Sequence, residues 1–230
     1  LKVLVTRPEP GASATAARLA QLGFEPVLAP CLSIEPRPAK FPEQPAAIVI
    51  TSGQAIPALP DSFHHIPSFC VGDATAARMR EAGFTSVESA AGDARDLYAL
   101  IVARRVPGVH LLAVGERHGV ALARQLREAG VMVNRRTVYS ARPLPALPPA
   151  VLEALGASEI DHALFYSAES ARAFIGLKPP GTGRVVAHAL SPAIGRTLAD
   201  AAAQATDGLP WREIRVALAP TEADLMANLT

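Results

Sequence analysis

Little in this chain of 230 residues invites a metal or redox reading. It has two cysteines, Cys31 and Cys70, far apart and outside any CxxC spacing. None of its six histidines pairs with a second histidine at helical ligand spacing. This excludes the usual zinc and iron–sulfur arrangements and predicts two reduced, buried thiols in a reducing compartment. Neither sign of charge dominates, with 22 Lys and Arg against 21 Asp and Glu, so no general field draws the molecule to nucleic acid. No apolar run reaches spanning length and no charged-then-apolar leader opens the chain, so the expectation is a cytoplasmic protein without membrane contact, although residue 1 is Leu. GxGxxG, P-loop and GxSxG patterns are all missing, which removes the ordinary support for dinucleotide, nucleotide-triphosphate and serine-hydrolase chemistry. Neither a metal nor a cofactor is expected.

What is present is half hydrophobic and internally repetitive. Ala47-Ile-Val-Ile-Thr-Ser-Gly-Gln-Ala-Ile56 recurs as Ala163-Leu-Phe-Tyr-Ser-Ala-Glu-Ser-Ala171, and Phe69-Cys-Val-Gly-Asp-Ala-Thr-Ala76 recurs more loosely as Ala193-Ile-Gly-Arg-Thr-Leu-Ala199. Leu22-Gly23 with Ser33 and Pro36 matches Ala129-Gly130 with Ser140 and Pro143 at a constant offset of 107. Short β-branched runs such as Lys2–Thr6, Ala47–Ile50, Val109–Val114 and His162–Phe165 alternate with Ala-rich helical patterns, the rhythm of a parallel α/β sheet. Asp93 is placed to cap a helix from Ala94, and Thr221 with Asp224 to cap the last one.

Two proline-punctuated segments, about 30–38 and 136–145, break this rhythm and read as extended linkers, because proline stops a helix and biases its predecessor to extended geometry. Two crossings imply an inserted domain. The expected architecture is two flavodoxin-like parallel-sheet lobes around one cleft, one lobe of residues 1–34 with 144–230 and an inserted lobe of 37–137, hinged on the two linkers.

In open parallel sheets ligands bind beyond the carboxyl ends of the strands, where loops enter helices whose N–H groups attract anions. Four such turns are predicted: Ser52-Gly53-Gln54, Gly72-Asp73 with Thr75, Ser167-Ala168 with Ser170, and Gly195-Arg196-Thr197. Small hydroxyl residues let backbone donors approach a carboxylate, although Ser and Thr at these places also cap helices without any ligand. Arg7 follows the first strand and is positioned either to grip a carboxylate or to form a surface ion pair. Arg37, Arg78, Arg142 and Arg196 are further candidates for the edge of the cleft. Tyr139, on the second linker, is the phenol best placed to donate a proton to a leaving hydroxyl. With no activated nucleophile in view, such a site works by orienting a reactive substrate.

Taken together, Val5-Thr-Arg-Pro8, Ile50-Thr-Ser52, Val71-Gly-Asp-Ala-Thr-Ala76, Val138-Tyr139, Ser167 with Ser170, Ile194-Gly195 and Ala217-Leu-Ala-Pro-Thr221 resemble the uroporphyrinogen-III synthase family in order and spacing through nearly the whole chain. The resemblance implies a cofactor-independent lyase of tetrapyrrole (haem) biosynthesis. The reaction would cyclise hydroxymethylbilane, a linear tetrapyrrole with eight carboxylates, losing water and inverting ring D. The substrate's own pyrrole nitrogen supplies the electron push. By position, Tyr139 is the tyrosine thought to assist hydroxyl loss, and a phenol of ordinary pKa near 10 is protonated at neutral pH. Ser52, Thr75, Ser167, Ser170 and Thr197 would hold acetate and propionate groups. The chain departs from the family at Leu198, where a second threonine is common, and at Gln54, where asparagine is frequent. A monomer that receives its substrate by transient handover from the preceding enzyme is the expected state. The competing reading is a two-lobed binding protein or sensor that closes on an anionic metabolite without catalysis; a phosphate-binding transferase is the third.

Overall fold

The computed structural model describes residues 1–204 and 211–229. In chain order the strands are β1 (Lys2–Val5), β2 (Glu25–Leu28), β3 (Leu32–Pro36), β4 (Ala47–Ile50), β5 (Ser68–Cys70), β6 (Val87–Ser89), β7 (Val109–Gly115), β8 (Met132–Pro143), β9 (His162–Phe165), β10 (Val186–Ala189) and β11 (Glu213–Val216). The helices are α1 (Gly11–Gln21), α2 (Asp73–Glu81), α3 (Ala94–Arg104), α4 (Val120–Glu128), α5 (Pro149–Gly156), α6 (Ala168–Gly176), α7 (Pro192–Gln204) and α8 (Glu222–Ala227). The chain divides into two compact units, Leu1–Ser33 with Arg142–Thr230 and Ile34–Ala141.

The first unit carries a five-stranded sheet in the order β11-β10-β9-β1-β2, with parallel pairing throughout. Its central strands are apolar without alternation because helices cover both faces: Val3, Leu4 and Val5 are all fully buried, as are Ala163, Leu164 and Phe165. On one face Val3, Val5 and Leu164 meet Leu19 of α1 and Leu225 of α8. Elsewhere in the unit Phe165, Phe174 and Trp211 pack ring to ring at centroid distances of 5.4–5.7 Å.

The second unit carries a six-stranded sheet, β3-β8-β7-β4-β5-β6. Alternate residues of β4 and β7 serve opposite cores. Ile48, Ile50, Leu111 and Ala113 face Phe63, Met79 and Phe84, whereas Val49, Leu112 and Val114 face Leu97, Ile101 and Leu126. Asp93 caps α3 through a full capping box with Asp96.

The repeat explains how the two sheets are assembled. The offset that relates Leu22 to Ala129 also carries β1 onto β7, α1 onto α4, and β2 with β3 onto the two halves of β8. Since Ser52 after β4 matches Ser167 after β9, the sheets β2-β1-β9-β10-β11 and β8-β7-β4-β5-β6 have the same order in repeat-equivalent strands. Both follow the 2-1-3-4-5 arrangement of flavodoxin-like sheets, and each draws its first two strands from one half of the repeat and its last three from the other.

The extended segment expected at 136–145 contains the second half of the 12-residue β8, running beside β3, and the chain passes from one unit to the other within these two strands. The Arg37 N–H donates to the Val138 carbonyl at 2.8 Å and the Leu144 N–H to the Cys31 carbonyl at 2.9 Å, the descending register of an antiparallel pair. Pro36 and Pro143 stand at strand ends, where a missing donor is tolerated. Strands β2 and β6, short and weakly apolar, have no clear periodic signal in the sequence.

Candidate functional site

In the second unit the carboxyl ends of β4, β5 and β7 are neighbours, and the loops leaving β4 and β7 diverge at the point where strand order reverses, the usual ligand position in open α/β sheets. Ser52, in extended geometry, opens a 3-10 helix, Gly53–Ala58, and its hydroxyl accepts the Gln54 N–H at 3.3 Å. Gly72 caps α2, so Asp73 and Thr75 stand in its first turn, and the Thr75 N–H donates to the Gly72 carbonyl at 3.1 Å. The Arg78 side chain, one turn further on, lies flat against Gly53: a Cβ there would come within 2.7 Å of the guanidinium carbon. The glycine at 53 thus lets the guanidinium approach the turn closely, and a side chain there would displace Arg78 rather than the backbone.

Tyr139 belongs to this same edge. The register of β7 with β8 runs Val114 to Thr137 and then Gly115 to Tyr139, so β8 carries one extra residue, Val138. A bulge lets consecutive residues point to one face. Val138 and Tyr139 accordingly both enter the core that contains Ile50 and Ala113, and Tyr139 is 7% exposed. Its ring lies over Gly115, where a Cβ would be 2.8 Å from the ring carbons and 3.0 Å from the phenol oxygen. The backbone is clamped as well. The Glu116 N–H donates to the Tyr139 carbonyl at 3.0 Å, Glu116 pairs with Arg37 at 2.5 Å, and Arg135 donates to the carbonyls of Gly115, Glu116 and His118.

In the first unit the carboxyl ends of β1 and β9 are adjacent. Ser167 caps α6, accepting the Ser170 N–H at 3.0 Å and donating to the Ser170 hydroxyl at 3.0 Å, with Ala168 as the first helical residue. Ser170 is 1% exposed, so its hydroxyl serves the cap. Arg7 is engaged inside this unit: its guanidinium stacks on the Tyr166 ring at 4.2 Å and pairs with Glu222 at 3.4 Å. Thr15 and Tyr166 donate to the same Glu222 oxygen at 2.6 and 2.7 Å, and Arg18 holds the other oxygen at 3.2 Å. Burial alone would raise the Glu222 pKa, but the hydrogen bonds from Thr15 and Tyr166 and the charges of Arg7 and Arg18 outweigh it and hold the carboxyl below its ordinary range. Burial, followed by the Glu222 charge, pushes the Tyr166 phenol up.

The turn expected at Gly195-Arg196-Thr197 lies one turn inside α7 instead. The loop after β10 is Leu190-Ser191, and α7 starts at Pro192, a residue suited to a first helical position. Thr197 bonds back to the Ala193 carbonyl at 3.1 Å, Arg196 is exposed, and Leu198 is fully buried. Gly195 permits helix–sheet contact, since a Cβ there would meet Val216 at 2.8 Å. The loose alignment of Gly72 with Gly195 conceals the true counterpart, Ser191, whose Ser-Pro dipeptide was the available signal. Sequence reasoning also missed Tyr166 and Glu222 as partners of Arg7, since their contacts depend on elements over 150 residues apart in sequence.

Cys31 and Cys70 are both free and buried, and burial pushes each thiol up to about 12, leaving them poor nucleophiles. Among the described residues no three His, Cys, Asp or Glu side chains gather closely enough to hold a metal ion, and no helix is long and apolar enough to cross a membrane.

Residues 13–227 match the family model described as uroporphyrinogen-III synthase HemD. Among solved structures the chain is similar to the uroporphyrinogen-III synthetase of Helicobacter pylori, with 15% identity and a TM-score of 0.66 over 99% of this chain and 97% of that one. It is also similar to a mutant uroporphyrinogen III synthase of the extremely thermophilic bacterium Thermus thermophilus, with 19% identity and a TM-score of 0.51 over 99% and 96% of the two chains. No curated protein matches the sequence.

Proposed function

The chain belongs to the uroporphyrinogen-III synthase HemD family, and on that premise we propose that it converts hydroxymethylbilane to uroporphyrinogen III as a cofactor-independent lyase. The observation that carries this reading is the match of the family over residues 13–227. It is supported by a sheet edge on which hydroxyl and amide turns stand beside a clamped phenol. Ser52, Gly53, Gln54, Gly72, Asp73 and Thr75 in one unit, and Ser167 and Ala168 in the other, would receive substrate carboxylates through backbone N–H groups and hydroxyls, with Ser170 holding the Ser167 cap from within. Arg7, Gly195 and Thr197 are assigned to the scaffold, because they pack against Glu222, Val216 and the Ala193 carbonyl of their own unit.

Tyr139 would hydrogen-bond the departing hydroxyl and give it a proton, so that it leaves as water while the pyrrole nitrogen lone pair forms the azafulvene. Attack of the substituted carbon of ring D closes a spiro intermediate, and rearrangement inverts that ring. The final loss of a proton from carbon returns one to the phenolate. The protein's remaining task is to hold the folded conformation that leads to inversion and to exclude direct closure. The reading brings with it a monomeric cytoplasmic enzyme that takes its unstable substrate from the enzyme that makes it.

Hydroxymethylbilane offered to the protein is expected to give mainly the inverted isomer by chromatographic isomer analysis. Formation of the uninverted isomer at the protein-free rate would remove the proposal. Tyr139→Phe is expected to slow turnover by about 100-fold, the scale of a lost general acid, with product binding retained. An unchanged rate would take Tyr139 out of the chemistry.

A further inference from the structure

In the first unit, the residue that leads into the Ser167-Ala168 turn is anchored through both parts of its side chain. Tyr166 follows β9 directly and precedes Ser167. Its phenol donates to the Glu222 Oε1 at 2.7 Å, and the Arg7 guanidinium covers its ring at 4.2 Å. Three further donors fix the carboxylate: Thr15 at 2.6 Å and Arg7 at 3.4 Å on the same oxygen, and Arg18 at 3.2 Å on the other. Bonds to an ionised carboxylate are roughly twice as strong as neutral ones. Glu222 opens α8, which Thr221 caps and whose Leu225 and Met226 are buried in the core that holds Val5 and Leu164. The helix is thereby seated on β1 and β9, and Glu222 is a fixed point relative to the sheet.

The repeat shows that this anchor belongs to one turn only. Ser52 matches Ser167, so the counterpart of Tyr166 is Thr51, which has no phenol to reach a distant carboxylate; there Arg78 lies on Gly53 instead. A turn that binds through its N–H groups is effective only while they stay in place, and a misplacement of about 1 Å is costly. We propose that Glu222 and Tyr166 are positioning residues: the phenol–carboxylate bond holds the backbone at Tyr166, and through it the Ser167-Ala168 turn, in the geometry that receives a substrate carboxylate. The inference rests on the reading of that turn as a substrate-binding edge. Neither side chain touches the substrate. Because the turn grips a carboxylate that does not react, it binds substrate and transition state alike, so displacing it raises KM and leaves kcat in place. Arg7 and Arg18 against Glu222 leave one net positive charge beside the turn. Removing the carboxylate charge would strengthen that field for an anion, so only variants that preserve charge isolate the geometry.

Charge-preserving variants of the full chain separate positioning from structural support, read as kcat and KM for hydroxymethylbilane and as calorimetric affinity for uroporphyrinogen III. Tyr166→Phe removes only the hydroxyl, and Glu222→Asp keeps the charge but withdraws the carboxylate by one methylene. Each is expected to raise KM and the product Kd about fivefold, the scale of one hydrogen bond, with kcat within about twofold of the unmodified protein. The two variants break the same bond from opposite ends, so if one fails to fold the other decides. Thr15→Val removes an equally short bond to the same oxygen, but from α1, which does not lead into the turn. It should lower the urea-unfolding midpoint and leave KM unchanged. In a double-mutant cycle, Tyr166→Phe should weaken product binding little further once Ser167→Ala has removed the cap, since both act through one turn. Unchanged KM in Tyr166→Phe and Glu222→Asp, a loss confined to kcat, an equal rise of KM in Thr15→Val, or additive losses in the cycle would overturn the proposal. Isomer analysis of the unmodified protein keeps the two readings apart. Inverted product together with unmoved KM in the variants overturns the positioning alone, whereas absence of inversion overturns the cyclisation reading on which it rests.

Discussion

Gly115 and Tyr139 make sense only as a pair. The ring occupies the space a Cβ at 115 would need, and the glycine gives the ring a flat floor with backbone clamps on either side. Gly115→Ala should therefore displace the phenol, lowering turnover about tenfold while costing roughly 1–3 kcal/mol of stability as an overpacked site. Paired activity and urea-unfolding measurements check both numbers. A different residue pair makes stability depend on pH. His162 and His188, on neighbouring strands of the first unit, are buried with Nδ1 and Nε2 2.9 Å apart. Burial, then the neighbouring His162 and Arg215, lowers His188 from 6.5 to about 3, with Glu213 opposing; burial likewise lowers His162, against the nearby Asp161. The unfolded histidine takes up a proton below about pH 6.5 that the folded one refuses, so the unfolded chain binds more protons and stability falls as pH drops through that window. The loss ascribed to His188 is about 2 kcal/mol at pH 5 relative to pH 8. Urea unfolding of His188→Leu across the same range should show a correspondingly flatter profile.

Among elements, β8 decides most. Its bulge puts Val138 and Tyr139 on one face; were Val138 to pair with Gly115 in regular alternation, Tyr139 would point to the opposite core. Deletion of Val138 is expected to leave Tyr139 opposite Gly115, so that turnover falls by less than about tenfold while the lost buried side chain lowers stability, read by parallel activity and urea-unfolding measurements. The helix starts behave more simply. Asp93, Ser167 and Thr221 accept helix N–H groups, and Ser-x-x-Ser and Thr-x-x-Asp patterns are visible as linear signals because capping is local. The misplaced turn at Gly195 shows the limit of that approach: a glycine chosen for close packing against Val216 is indistinguishable in one dimension from a glycine chosen for a turn.

At the scale of the molecule, two equivalent sheets are built by exchanging halves of a repeat. The consequence is unequal independence. Ile34–Ala141 is one continuous segment with its own two-faced core, whereas the other unit needs β1, from the start of the chain, at the middle of its sheet between β9 and β2. Expressed alone, residues 34–141 should unfold cooperatively in urea, while residues 142–230 should not, since a parallel sheet missing an interior strand exposes both apolar faces and an unpaired ladder. A cooperative transition in the second fragment would contradict the exchange.

By itself the sequence determined the α/β class, the repeat, the strand and helix starts of the regular segments and the absence of metal-ligand spacing. Each of these rests on periodicity or on contacts within a few residues. Only the tertiary structure decided which strands share a sheet, that Arg7 is engaged by Glu222 and Tyr166, and that Gly53 and Gly115 are floors for Arg78 and Tyr139. These depend on long-range packing, where register and a single bulged residue set the direction of a side chain, and linear order carries no record of that geometry.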